Sequence, residues 1–175
     1  FHHAQSQLHR FLNCIGGYTR SKFTYSFAAA EAMVPHILGS YRAYLDTCTS
    51  WDSIEENTEL FVCFGGVPLK NGQIAQGGTG SHNQKEKLIS SAKAGIRFVN
   101  LSPLKSDLLD EVKGKWLPLR PNTDVAIMLG LAHTLYKENL YSEIFIKKYT
   151  EGFDVFLPYL LGDLDGVVKD ANWAS

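Results

Sequence analysis

Three short segments carry residue types that can hold a phosphate or a nucleotide. Gly65-Gly66-Val67-Pro68-Leu69-Lys70 joins two glycines to a lysine. The glycines let the backbone come close to a ligand, and the lysine supplies positive charge. Ser102-Pro103-Leu104-Lys105-Ser106 adds hydroxyls and a second lysine. Pro121-Asn122-Thr123-Asp124 ends in a carboxylate, which can accept two hydrogens from the Watson–Crick edge of guanine. Where such a segment opens a helix, its free N–H groups also favour an anion. Each has a plainer reading: Gly65-Gly66 as a turn, Ser102-Pro103 as the end of a strand, Asp124 as a helix-end charge. No G-x-G-x-x-G and no G-x-x-x-x-G-K-[ST] occurs, so neither an ordinary NAD site nor a P-loop is supported.

Other constellations carry less. His2, His3 and His9 share one helical stretch, but no carboxylate is spaced to complete a metal site. His36 and His133 read as packed or surface residues, and without G-x-S-x-G no nucleophile elbow can be argued. The cysteines Cys14, Cys48 and Cys63 form no C-x-x-C pair, which argues against a zinc knuckle or iron–sulfur cluster. Cys63 lies in an apolar run and reads as a buried thiol. The net charge of −1 predicts no basic surface for nucleic acid. No apolar stretch approaches the ~20 residues that span a bilayer. Phe1 opens directly into helix and Ser175 ends the chain without a tail. That pattern predicts a piece of a longer polypeptide, with any targeting segment outside it.

The elements that must position these segments follow from periodicity. A helix is predicted over about 2–14, stopped by Gly16-Gly17, and an alanine-rich, closely packed one over 27–38. The stretch 41–58 is mixed, with a turn at Trp51-Asp52-Ser53. Leu60–Phe64 reads as a buried parallel strand, and residues 72–81, with four more glycines, as a mobile excursion. A helix over 85–93 and a strand over 96–101 complete a βαβ unit. Residues 115–119 suggest a third strand. From Asp124 a helix follows whose Val125, Met128, Leu129, Ala132, Leu135 and Tyr136 share a face, capped by Asn122 or Thr123. Further helices are predicted over 142–149 and 153–161. The sum is an α/β fold over 1–175: a three-layer Rossmann-like domain with a parallel sheet flanked by helices. In such sheets ligands sit beyond the carboxyl ends of strands, where all three segments emerge.

Several motifs in one order carry a family resemblance. Arg120–Leu135 resembles the P-x-T-D-x-A-x-x-x-G-x-A-H-x-L stretch of the dimethyl sulfoxide reductase family of molybdopterin oxidoreductases. Lys148–Asp154 with Pro158-Tyr159-Leu160 resembles its Y-T-x-G-F-D-x-F-x-P-Y-L continuation, and Asn172-Trp173-Ala174 its T-A-E-W-A close. Val67-Pro68-Leu69-Lys70 is similar to its D-P-[IL]-K loop. The His-rich opening and Thr24-Tyr25-Ser26-Phe27 look most like the biotin sulfoxide and trimethylamine N-oxide reductase branch.

The resemblance implies an enzyme that carries molybdenum bis(molybdopterin guanine dinucleotide) and reduces an S-oxide or N-oxide by oxygen-atom transfer. This chain would hold one of the two dinucleotides, working with the remaining domains of the parent enzyme. Gly65, Gly66, Val67, Pro68 and Lys70 would meet the pterin or phosphate region. Ser102, Pro103 and Lys105 would lie along ribose and phosphates, and Asn122 and Asp124 would read the guanine. Many relatives carry Asp where Ser102 stands, and Val67 replaces the Asp of the D-P loop. The branch's molybdenum-ligating serine precedes the first helix, so no catalytic residue or metal ligand is expected here, and the isolated fragment should be inactive. The competing readings are a stand-alone, non-redox nucleotide-binding module and a structural domain whose glycine loops are only turns.

Overall fold

In the computed structural model, residues 3–24, 26–72 and 82–175 are described, and the excursion predicted at 72–81 lies outside them except for Gly72. The chain divides into two compact units, 1–50 and 51–175.

The first unit holds α1 (Ala4–Cys14), α2 (Ala28–Leu38) and α3 (Tyr41–Asp46). Beyond α1, Gly16 and Gly17 take φ values of 116° and 94°, which suit glycine. His9 shares a hydrogen bond with the Tyr18 hydroxyl, and the two rings stack at 5.3 Å. His9 is thus a packing residue, and no group of three His, Cys, Asp or Glu that could hold a metal occurs among the described residues. Alanine-rich α2 meets α3 beside a Phe27–Tyr41 stack at 5.8 Å. Contrary to the expectation of close packing, no residue of α2 is buried. A six-residue α3 is too short to cover an eleven-residue helix.

The second unit contains a parallel sheet in the order β1 (Leu60–Phe64), β2 (Arg97–Leu101), β3 (Lys115–Leu117). Leu60 pairs with Arg97 and Phe64 with Leu101, and Val99 with Lys115, so β1 and β2 are adjacent and parallel as predicted. Between them runs α5 (Gln84–Lys93), and before β1 lies α4 (Trp51–Asn57). The stretch 41–58, read from the sequence as mixed, holds both α3 and α4, of six and seven residues.

The core gathers Cys63, Leu88, Ile96, Phe98, Leu108 and Val112, with Trp51 and Ile54 of α4 packed against it. Trp51, Phe61 and Phe98 stack in sequence, at 6.3 and 5.3 Å. β1 is not buried throughout, as its apolar run suggested. Phe61 and Cys63 face the core, whereas Leu60, Val62 and Phe64 are 47%, 38% and 36% exposed. Alternation in a strand puts these on opposite faces, and an unbroken apolar run does not reveal which face is covered.

After β3 come α6 (Asp124–Lys137), α7 (Glu143–Tyr149) and α8 (Phe153–Leu161). The shared apolar face of α6 is only partly covered: Val125, Met128 and Leu135 are exposed and Leu129, Ala132 and Tyr136 half-buried, while Gly130 and His133 are buried. A Cβ at Gly130 would stand 2.8 Å from Ala174 Cβ, so the C-terminal segment lies directly on this small-residue flank. Lys169 is buried over the Tyr159 ring, paired with Asp165 at 2.5 Å. No described helix is long and apolar enough to cross a membrane.

Candidate functional site

Each segment singled out by residue type leaves the carboxyl end of a strand of this sheet. Gly65 and Gly66 follow β1 with φ values of 80° and 78°, a conformation that favours glycine. The Gly65 N–H donates to Leu101 O at 2.9 Å, which extends the β1–β2 ladder by one residue. A Cβ on Gly65 would meet nothing within 4 Å among the described residues, which leaves a ligand room to approach its backbone. Gly66 is the opposite case. A Cβ there would lie 2.4 Å from Asp107 Cβ and 2.6 Å from Asp107 O. Its neighbour Val67 donates its N–H to that same Asp107 carbonyl at 2.6 Å. The loop after β1 is thereby locked to the loop after β2.

Ser102 organises that second loop. It is fully buried, its hydroxyl donates to Asp107 Oδ2 at 2.5 Å, and its oxygen accepts the Leu104 N–H at 3.3 Å. Its carbonyl accepts from the Trp116 indole at 2.8 Å and from Leu119 N at 3.4 Å, joining the loop to β3 and its exit. Buried Asn100 donates from Nδ2 to Leu104 O and Lys105 O, both at 3.4 Å. Pro103 and Lys105 are exposed above this bracing.

Three concavities result. Pro68 and Lys70 share a cleft of about 280 Å³ with Leu104, Ser106 and Asp107. Lys105 lines a separate hollow of about 150 Å³ with Asn100, Lys113 and Trp116. The exit of β3 lines a third, of about 420 Å³, through Arg120, Thr123 and Trp173. Asn122 and Asp124 flank Thr123 without lining it. Asn122 adopts a left-handed φ of 67° and is exposed, and Asp124 is the half-buried first residue of α6. The expected side-chain cap is absent: the Thr123 hydroxyl donates back to Arg120 O at 2.7 Å, closing the turn instead of capping the helix. Asp124 is therefore not the side chain that satisfies a cap.

Sequence reasoning missed Asp107. It binds Ser102 through its side chain and Val67 through its carbonyl, and it lines the cleft beside Lys70. The signal was present: it is the first carboxylate after β2 in a strand–glycine loop–helix–strand unit.

Comparison with known proteins identifies the family. The family model described as molybdopterin oxidoreductase matches residues 1–157. A biotin sulfoxide reductase of Cereibacter sphaeroides is 41% identical over 175 residues, 100% of this chain and 24% of that protein. A dimethyl sulfoxide/trimethylamine N-oxide reductase of the same organism is 36% identical over 174 residues, 99% of this chain and 21% of that protein. A trimethylamine-N-oxide reductase of Haemophilus influenzae is 37% identical over 176 residues, 99% of this chain and 21% of that protein. The chain spans less than a quarter of the length of these curated relatives. On the family match and on these identities over nearly its whole length, the chain belongs to the molybdopterin oxidoreductase family.

Proposed function

We propose that residues 1–175 form an α/β domain that holds one molybdopterin guanine dinucleotide, within a larger enzyme that reduces an S-oxide or N-oxide. Similarity to reductases of biotin sulfoxide, dimethyl sulfoxide and trimethylamine N-oxide supports the substrate class. The observation that carries the binding role is the lock between the loops after β1 and β2: an open backbone at Gly65, and beside it a cleft lined by Lys70 and Asp107. That cradle fits the group. It offers approachable backbone and a cation for phosphates, at the carboxyl edge of a parallel sheet.

When bound, the cofactor supplies the oxygen-atom transfer. The chain's own residues bind and orient it. Gly65, Gly66, Val67 and Pro68 shape the wall that meets the pterin or phosphate region, with Lys70 as counter-charge. Pro103 and Lys105 lie along ribose and phosphates, and Ser102 acts from beneath by holding that loop. Asn122 and Asp124 read the guanine, Asp124 accepting from N1–H and N2–H. The second cofactor, the molybdenum ligand and the substrate pocket belong to the remaining domains of the parent enzyme.

The test uses the full-length protein purified with its cofactor. Acid release followed by chromatography should yield guanosine monophosphate in proportion to molybdenum. Molybdenum without a nucleotide, or with a different one, overturns the guanine dinucleotide form. Turnover of biotin sulfoxide, dimethyl sulfoxide or trimethylamine N-oxide with a reduced viologen dye checks the reaction class, and absence of turnover on all three overturns it.

A further inference from the structure

We infer that Asp107 is the ribose-binding acid of this cleft, and that it selects a nucleotide with free ribose hydroxyls. The inference rests on the dinucleotide-binding role proposed above. Where a nucleotide lies across the carboxyl edge of adjacent parallel strands, a glycine turn after the first strand meets the phosphates. An acid at the end of the second accepts from the ribose hydroxyls. Here β1 and β2 are such a pair, and Gly65-Gly66 is the turn. The residue directly past β2 is Ser102, which is fully buried with its hydroxyl already committed in both directions. It has nothing left to offer a sugar.

The acid comes instead from five residues further on. The turn Lys105–Asp107 folds the chain back, and Asp107 N donates to Leu104 O at 3.2 Å. The Ser102 hydroxyl then fixes Oδ2 at 2.5 Å. Gly66, lacking a Cβ, lets Asp107 press against the glycine turn. One carboxylate oxygen is therefore anchored, and Oδ1 makes no hydrogen bond to any described residue. The residue lines the cleft of about 280 Å³ that also holds Lys70. An anchored acid beside a phosphate-binding turn and a lysine is the arrangement that accepts a ribose diol. Its carboxylate also opposes a phosphate placed on those hydroxyls.

Calorimetric binding of guanosine diphosphate and its 2′,3′-dideoxy analogue to full-length protein, purified free of cofactor, tests this. Wild type should prefer the ribonucleotide by about tenfold or more, the worth of one hydrogen bond to a charged group. In Asp107→Ala and Asp107→Asn that preference should fall to within about twofold and about fivefold respectively. A residue acting only as a brace between loops would weaken both nucleotides equally and leave the ratio at its wild-type value. Wild-type binding of the ribonucleotide without preference, or a ratio unchanged in either folded variant, overturns the inference alone. Failure of wild type to bind guanosine diphosphate at all overturns the dinucleotide reading with it. The wild-type ratio needs no variant to fold.

Discussion

The two units of this chain use apolar residues in opposite ways. In 51–175 a core closes: Leu88, Phe98 and Leu160 are 0%, 4% and 1% exposed. In 1–50 no residue whose burial is described is buried, and Leu8, Phe11 and Ile15 of the first helical stretch are 57%, 59% and 63% exposed. The difference is one of layers. A helix can bury only one stripe and needs a partner surface to do so. The second unit supplies a sheet face for α4 and α5, whereas the first supplies only a short helix beside α2. The loops Gly65–Lys70 and Ser102–Asp107 hang from the unit with the core, where their geometry can be held to fractions of an ångström.

The sharpest break in this comparison is core truncation. Leu88→Ala removes a side chain with no exposure and should lower stability by about 2–5 kcal/mol, read by denaturant unfolding. Phe11→Ala in the first unit loses a side chain that is 59% exposed, and should change stability by about 0.5 kcal/mol. Equal losses would show that the first unit has a core of its own kind.

Glycine substitutions sharpen the same contrast. Gly66→Ala puts a Cβ 2.4 Å from Asp107 Cβ at a left-handed φ, where neither loop can yield without breaking the other's anchors. A loss of about 2–4 kcal/mol is expected, together with loss of bound cofactor. Gly17→Ala in the first unit has a left-handed φ of 94° but nothing within 4 Å. It should show only the conformational penalty, about 1 kcal/mol. Thermal unfolding of the two variants separates contact from conformation, and similar shifts would remove the lock between loops from the account.

Asp124 is the next step down. Asp124→Asn keeps shape but loses one of two acceptor positions for guanine. In full-length protein it should weaken cofactor retention by about 1.5–3 kcal/mol, seen as lost molybdenum after dialysis. If Asp124 is only a helix-end charge, worth about 0.3–1 kcal/mol, molybdenum content stays at the wild-type level.

The sequence made the architecture legible wherever a pattern ran long enough. β1, β2 and α8 stand where periodicity puts them, because strands with apolar runs and helices of nine or more residues carry their own signal. Direction of burial was less legible. β1 was read as buried and the apolar residues of α6 as one shared face, and on both several of them are exposed. Hydrophobicity reports that a surface is to be covered, but not by what. At the candidate site, residue types identified the three loops. The tie between them could not be read in advance, because it depends on a carboxylate reaching back five residues to Ser102 and on a carbonyl meeting Val67. Such contacts belong to the folded backbone and leave no spacing rule in the chain.

The smallest effect contrasts the units through their thiols. Cys14 and Cys48, in the first unit, are exposed, whereas Cys63 on β1 is 3% exposed among Phe61, Phe98 and Leu88. Burial raises the Cys63 thiol from 9.0 to about 11, because the thiolate would lose its hydration in an apolar core. At pH 8 Cys63 should therefore be neither ionised nor reachable. Iodoacetamide with peptide mapping should label Cys14 and Cys48 and spare Cys63 until denaturant is added. The sign of the pH dependence follows from the same shift. The unfolded thiol ionises near 9.0 and the folded one near 11, so the fold prefers the neutral form. That preference is fully present below pH 9 and is lost as pH rises through 11, a decline of at most about 2–3 kcal/mol. Cys63→Ala should flatten this alkaline limb while lowering stability uniformly at neutral pH through the small cavity it leaves. Labelling of Cys63 at the rate of Cys14 in native protein at pH 8 would instead mean that β1 opens readily, and with it the anchor of the loop at Gly65-Gly66.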